Sequence, residues 1–350
     1  MGAMLPDRRG YRVPAPDPRE RIAWPDDFGT RFAVFVDTEE EFDWGAPLDP
    51  AASAVSHMAA VPEAHRWFAA AGVPLTYLID HPIVRSPMAV DVLRRAIEDG
   101  RSAIGAQLHP WVNPPFEEEV SGFNSFVGNL PLDLQRAKLA ELTRAITAAF
   151  GTAPIIHRAG RYGIGPDTPA LLAELGYRID SSMRPAYDYS AEGGPDFMAV
   201  PSHAFRLGSI LELPLTTIFT GLARRGGAGL YRRLARVPRG VGAAARLGLL
   251  SRVALTPEDM PLADAQEAVR VAVGEGARLL NFAFHSPSLV PGHTPYVSSA
   301  ADLEDFFRWW DAIFTLLDRL GVRPASLGEI ADAGCGPARP SARAGALGGL

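Results

Sequence analysis

Short apolar runs of strand length alternate with amphipathic stretches of helix length from residue 32 to residue 327. Residues 32–37, 73–80, 102–109, 153–158, 177–180, 210–216, 279–285 and 323–327 read as strands, and 57–71, 89–98, 132–150, 168–175 and 303–320 carry helical spacing. A strand followed by a helix and then another strand is the unit of parallel sheets, because the crossover helix must return the chain to the same edge. About seven such units in one chain predict a distorted (β/α) barrel of about seven parallel strands. An open doubly wound sheet satisfies the same alternation. Residues 1–30, rich in Pro, Arg and Asp, are expected to form an irregular arm; 31–332 a single barrel domain with a basic helical insertion at 221–253; and 333–350 a disordered Gly/Ala-rich tail.

Composition narrows the function class. A formal charge of −6 argues against a general nucleic-acid binder. The single cysteine, Cys335, rules out an intrachain disulfide and a cysteine metal site. The first twenty residues have no apolar signal core and no run reaches membrane-spanning length, so the cytoplasm is the expected address.

Strand phase points to the chemistry. Side chains alternate across a strand, so residues of one parity share a face. In 32–37, Phe32, Val34 and Val36 oppose Ala33, Phe35 and Asp37; in 279–285, Leu280, Phe282 and Phe284 oppose Asn281, Ala283 and His285. Treating 102–109 and 73–80 the same way, four strands place a polar residue last on the inner face: Asp37, Asp80, His109 and His285. Arg158 ends a fifth. Ligands bind at the carboxyl ends of parallel strands. Two histidines, several carboxylates and an arginine at that mouth suit hydrolysis, with or without a metal: a carboxylate and an imidazole serve as base and acid, and the same groups can hold a cation. Trp44, Trp111, Arg161 and Tyr162 lie in the adjoining loops and, with Asp80, are the candidates for substrate contact; the rings suit stacking on a sugar face and equally suit covering the core.

The motifs VDTEEEFDW (36–44), GAQLHPWVNPP (105–115), RAGRYG (158–163), DSS (180–182) and FHSPS (284–288) occur in an order that resembles the polysaccharide deacetylase (NodB-homology) superfamily, with the first motif closest to its WalW-like members. The resemblance spans about residues 30–330. It implies a NodB-like barrel and metal-assisted removal of N-acetyl groups from an amino-sugar-containing glycan. By position it makes Asp37 the base, His285 the acid that protonates the leaving amine, and Arg158 the residue that orients the base; Asp180 falls behind them. The superfamily's metal triad is an aspartate directly after the base and two histidines four residues apart. Here Thr38, Gln107 and Trp111 occupy those positions, which leaves Glu39 and His109 as ligands of a divalent metal, zinc by preference, with Asp37 or Asp80 as a third. Two other readings follow from the same residues: a glycan-binding barrel with an eroded metal site, and a glycosidase using a carboxylate pair such as Asp37 and Asp80. Substrate carbohydrate is the expected partner.

The insertion 221–253 holds eight arginines and no acid. A solvated helical lid over the barrel mouth is one reading; peripheral contact with an anionic membrane or an anionic glycan is the other.

Overall fold

The computed structural model describes residues 10–336. Residues 1–9 of the arm and 337–350 of the tail lie outside the described residues. The strands in chain order are β1 (Arg31–Thr38), β2 (Leu75–Ile79), β3 (Ala103–Leu108), β4 (Ile156–Ala159), β5 (Ile179–Asp180), β6 (Phe205–Leu207), β7 (Ile210–Glu212), β8 (Thr217–Thr220), β9 (Ser251–Ala254), β10 (Leu279–His285) and β11 (Arg323–Pro324). The helices are α1 (Val61–Ala70), α2 (His81–Arg85), α3 (Pro87–Ala96), α4 (Leu132–Phe150), α5 (Thr168–Glu174), α6 (Gly227–Ala235), α7 (Gly240–Arg246), α8 (Leu262–Gly274), α9 (Ala300–Arg319) and α10 (Leu327–Cys335).

The main sheet runs β10-β1-β2-β3-β4-β5-β7, all parallel, with β6 antiparallel on the outer edge of β7 and β11 parallel to the start of β1. It curls into a distorted barrel that the strands alone do not close. The run expected to continue as strand to residue 216 leaves the ladder after Glu212, where Pro214 has no N–H to donate. The remaining gap is bridged by irregular chain. Asn281 Nδ2 donates to the carbonyls of Leu213 (2.9 Å) and Pro214 (3.1 Å), Leu255 N–H donates to Thr216 O (3.0 Å), and Ala283 N–H donates to Leu255 O (3.2 Å).

The two faces separate as strand parity requires. Phe32, Val34, Val36, Leu280, Phe282 and Phe284 pack outward on the helices, where Phe68 of α1 stacks on Phe284 at 5.7 Å and meets Trp310 of α9 at 5.3 Å. Ala33, Phe35, Leu78, Ile156, Ile179 and Leu211 form a second, inner core. Leu327, Ile330 and Ala331 of α10 join that inner core, so the last helix belongs to the barrel domain and extends past residue 332, where the tail was expected to begin. With the inner face filled by apolar groups below, polar groups are left to its opposite end.

Residues 217–254 form an antiparallel ribbon, β8 with β9, that carries α6 and α7 beyond it. The sequence pattern gave no sign of the ribbon.

Candidate active site

The register of the parallel strands sets the first contact. Asp37 pairs with His285 across β1 and β10, each the inward residue near its strand's carboxyl end. Asp37 Oδ2 stands 3.7 Å from His285 Nε2. Behind Asp37, Arg158 donates from Nη1 to Asp37 Oδ1 at 2.7 Å, and is itself fixed by Nε to Ser181 O (2.9 Å) and Nη2 to Ser181 Oγ (2.9 Å). Arg158 is fully buried, so this fork has one orientation. Behind His285, Nδ1 donates to Glu258 Oε2 at 2.6 Å, and the other oxygen of Glu258 accepts from His285 N–H (3.0 Å) and Ser288 Oγ (2.6 Å). Burial disfavours the imidazolium, but the carboxylates of Glu258, Glu39 and Asp37 outweigh it and push His285 up to about 10. The imidazole therefore carries its proton at neutral pH, with Nε2 free to give it.

The third carboxylate of the mouth is Glu39. Its Oε2 accepts from Gln107 Nε2 (3.1 Å) and lies 3.5 Å from His109 Nε2. Burial, opposed by His285 and His109 and reinforced by Glu40 and Asp37, pushes Glu39 up to about 8. His109 is aimed by its other nitrogen, which contacts Glu40 Oε2 at 2.8 Å, while Trp111 Nε1 donates to Glu40 Oε1 at 2.8 Å. The indole also stacks on the His109 ring, with centroids 4.4 Å apart. Lys138, the chain's single lysine, donates to the carbonyls of Pro110, Asn113 and Pro115 and so pins the loop that carries Trp111.

These groups face a cleft of about 590 Å³, lined by Asp37, Glu39, Gln107, His109, Arg158, Glu258 and His285 together with aromatic rings. Trp44 meets His285 edge to face at 5.2 Å, Tyr296 lies parallel to the same imidazole at 6.3 Å, and Tyr162 stacks with Tyr189 at 6.0 Å. Trp44, Trp111, Arg161 and Tyr162 all line it. Arg161 is already engaged, through its ion pair with Glu192 and its place 4.3 Å over the Phe126 ring.

Asp80, expected at the substrate, is not in the cleft wall. It is fully buried beneath it, where Oδ1 accepts from Ile83 N–H (2.9 Å) to cap α2 and Oδ2 accepts from Glu40 N–H (2.7 Å). Being one residue past the end of β2, it follows the helix cap and not the strand's phase. This removes the second carboxylate of the Asp37–Asp80 glycosidase reading. Asp180 is also remote: it is buried and bonded to His157 Nδ1 (2.9 Å) and Ser182 Oγ (2.5 Å). Glu258 and Glu40 are the functional groups that sequence reasoning missed. Glu258 lies in a turn after β9, outside any strand phase, and Glu40 sat unassigned in an acidic run.

Two donor sets could hold a cation. Among the described residues, Glu40, Asp80 and His109 bring one ligand atom each within 4.8 Å of one another. That set is spent: its oxygens serve Trp111, His109, Ile83 and the Glu40 N–H. On the cleft side, Glu39 Oε1 and Gln107 Oε1 are buried acceptors with no donor. Buried acceptors left unpaired are costly; a cation satisfies both, as would an ordered water or the proton that Glu39 holds at neutral pH.

No protein-family model matches the chain, and no curated protein matches it. Solved structures do. A candidate polysaccharide deacetylase from Mycobacterium smegmatis is 19% identical, covers 90% of this chain and 98% of its own, and superposes with a TM-score of 0.47. A polysaccharide deacetylase from Bacillus cereus is 10% identical over 85% of this chain and 91% of its own, with a TM-score of 0.39. A candidate glycoside hydrolase/deacetylase from Parabacteroides distasonis is 11% identical over 88% of this chain and 70% of its own, with a TM-score of 0.54. Through that last likeness the chain is assigned the distorted β/α barrel fold of a candidate glycoside hydrolase/deacetylase.

Proposed function

We propose that the protein is a hydrolase of the polysaccharide deacetylase type, releasing acetate from an N-acetylated amino sugar. The observation that carries this is one pair of reacting groups with each member separately oriented: Asp37 held by Arg158, and His285 held by Glu258, facing each other in a cleft walled by aromatic rings. The DTEEEFDW form of the first motif keeps the WalW-like subgroup as our reading of its relationship.

The chemistry follows from the charges. Asp37 takes a proton from a water as the water oxygen bonds to the acetyl carbon. The carbonyl oxygen takes up the displaced electron pair. When that oxyanion collapses, the carbon–nitrogen bond breaks and His285 Nε2 supplies the proton that the departing amine needs, leaving acetate and a free amino sugar. Arg158 keeps one oxygen of Asp37 occupied, so the other is the one presented to the water. The rings of Trp44 and Tyr296 bracket the imidazole and give a sugar face something to pack on.

A divalent cation, zinc by preference, fits the cleft side of Glu39 and His109, because two buried acceptor oxygens there lack partners and Glu40 already fixes the His109 nitrogen that points away; Asp37, held by Arg158 and acting as the base, is not counted among its ligands. When bound, such a cation would act as a Lewis acid toward the acetyl group and the water.

The test is acetate and free-amine release from a panel of N-acetylated amino-sugar oligosaccharides by protein assayed for bound metal. Acetate without new reducing ends supports the reading. New reducing ends without acetate would make it a glycosidase, and binding without either product by metal-loaded protein would make it a glycan-binding barrel.

A further inference from the structure

The insertion at 221–253 does not cover the cleft. Leu215 and Thr256 line the cavity wall, and no residue between them does. The β8–β9 ribbon instead carries α6 and α7 between its two strands. These helices have almost no core: α6 buries no residue and α7 buries only Ala244. Both are shorter than an isolated helix needs in water, and glycines at 227, 229, 240 and 242 lower their propensity further.

What they expose is of two kinds. Leu222 is 85% exposed, Leu247 70% and Val237 56%. Leu222 N–H donates to Gly248 O (3.0 Å) and Ala223 N–H to Leu249 O (2.7 Å), which puts Leu222 beside Leu247 and Leu249 as one apolar edge. Around it, Arg225, Arg232, Arg233, Arg236, Arg239 and Arg246 are exposed, and among the described residues none of their side chains makes a hydrogen bond or an ion pair. In a chain of net charge −6, this segment has no acid at all.

From this geometry we propose that the α6–α7 paddle docks the protein on an anionic phospholipid surface. Leucines buried at the headgroup boundary and arginines among the phosphates satisfy both exposed classes at once. A soluble polyanion would satisfy only the arginines and has no use for the leucines. Docking is peripheral, since among the described residues no helix is long and apolar enough to cross a membrane. It is independent of the hydrolase reading and holds or fails without it.

The experiment is co-flotation of the full chain with vesicles of phosphatidylcholine alone and of equal parts phosphatidylcholine and phosphatidylglycerol. Binding is expected to the mixed vesicles, to weaken as salt is raised, and to be absent from phosphatidylcholine. Leu222→Asp with Leu247→Asp should weaken it by about tenfold or more. Arg232→Gln, Arg233→Gln and Arg236→Gln should each weaken it about fivefold. Thermal unfolding of every variant should match the parent, since none of these side chains is buried. No flotation with mixed vesicles overturns the proposal. So does flotation that persists in the leucine variants and is competed away by soluble polyphosphate, which would assign the arginines to a polyanion.

Discussion

Asp37 Oδ2 and His285 Nε2 face each other across 3.7 Å, and each is held from behind by a group of opposite charge, Arg158 in one case and Glu258 in the other. Because the two groups act in sequence on one acetyl carbon, their substitutions should not add. Asp37→Asn and His285→Ala are each expected to slow acetate release by about 10²–10⁴-fold. The double variant should be little slower than the worse single one. Initial rates on one N-acetylated oligosaccharide measure both. A His285→Ala enzyme at full rate would mean the amine is protonated from elsewhere.

Glu258 never needs to touch substrate to matter. His285 is pushed up to about 10, so its charged form is favoured in the fold. The stabilisation from that charge is complete below the ordinary histidine range and is lost as pH rises through about 10. Activity that needs the same proton should fall on the same alkaline limb. Glu258→Gln removes the negative charge while keeping an oxygen near Nδ1. The limb should move toward neutrality by roughly one to three pH units. A pH profile of kcat/KM reads this, and an unmoved limb would sink the role given to Glu258.

The strand phase explains which parts of this site could be read in advance. Asp37, His109 and His285 were legible because each shares the inward parity of its strand, and the outer cores around Phe68 and the inner core around Phe35 show that parity obeyed along the whole barrel. Arg158 follows the same logic one strand further on. Asp80 misled because the inward parity of β2 ends at Leu78, and the next inward residue already caps a helix. Glu258 was illegible for a different reason: it reaches His285 from a turn that follows a ribbon, and no periodic pattern places a turn residue in space. Glu40 was hidden among like residues, since composition cannot say which of three adjacent glutamates turns inward to His109.

The cation site is tested by content as well as by rate. Glu39→Gln and His109→Ala should each lower stoichiometric metal in protein purified with zinc in the buffer. Glu40→Gln should leave the ligands in place but loosen the aim of His109, which typically costs 10–100-fold in affinity, so roughly that loss is expected here. Metal titration of the apo-protein distinguishes the two classes. Full metal content in Glu39→Gln would move the site to the Glu40, Asp80 and His109 group.

Gly160 offers a test that replaces no polar side chain, although its added Cβ would also lie 2.8 Å from the Leu108 carbonyl oxygen. It follows Arg158 and Ala159 at the end of β4, and a Cβ there would lie 2.2 Å from His109 Cδ2 and 2.9 Å from its Nε2. The imidazole cannot yield toward Trp111, whose ring is stacked on it, or away from Glu40, whose oxygen anchors Nδ1. Gly160→Ala should therefore displace His109 at a cost of about 1–3 kcal/mol in stability, the usual price of overpacking a filled site. Metal affinity and acetate release should fall with it, because the crowded edge of the ring, Cδ2 at 2.2 Å and Nε2 at 2.9 Å, carries the nitrogen that faces Glu39. Thermal unfolding and metal titration on the same preparation check the two together. An alanine variant with unchanged stability and unchanged metal affinity would show that His109 is free to move, and that the close approach of β3 and β4 at this point is not what aims it.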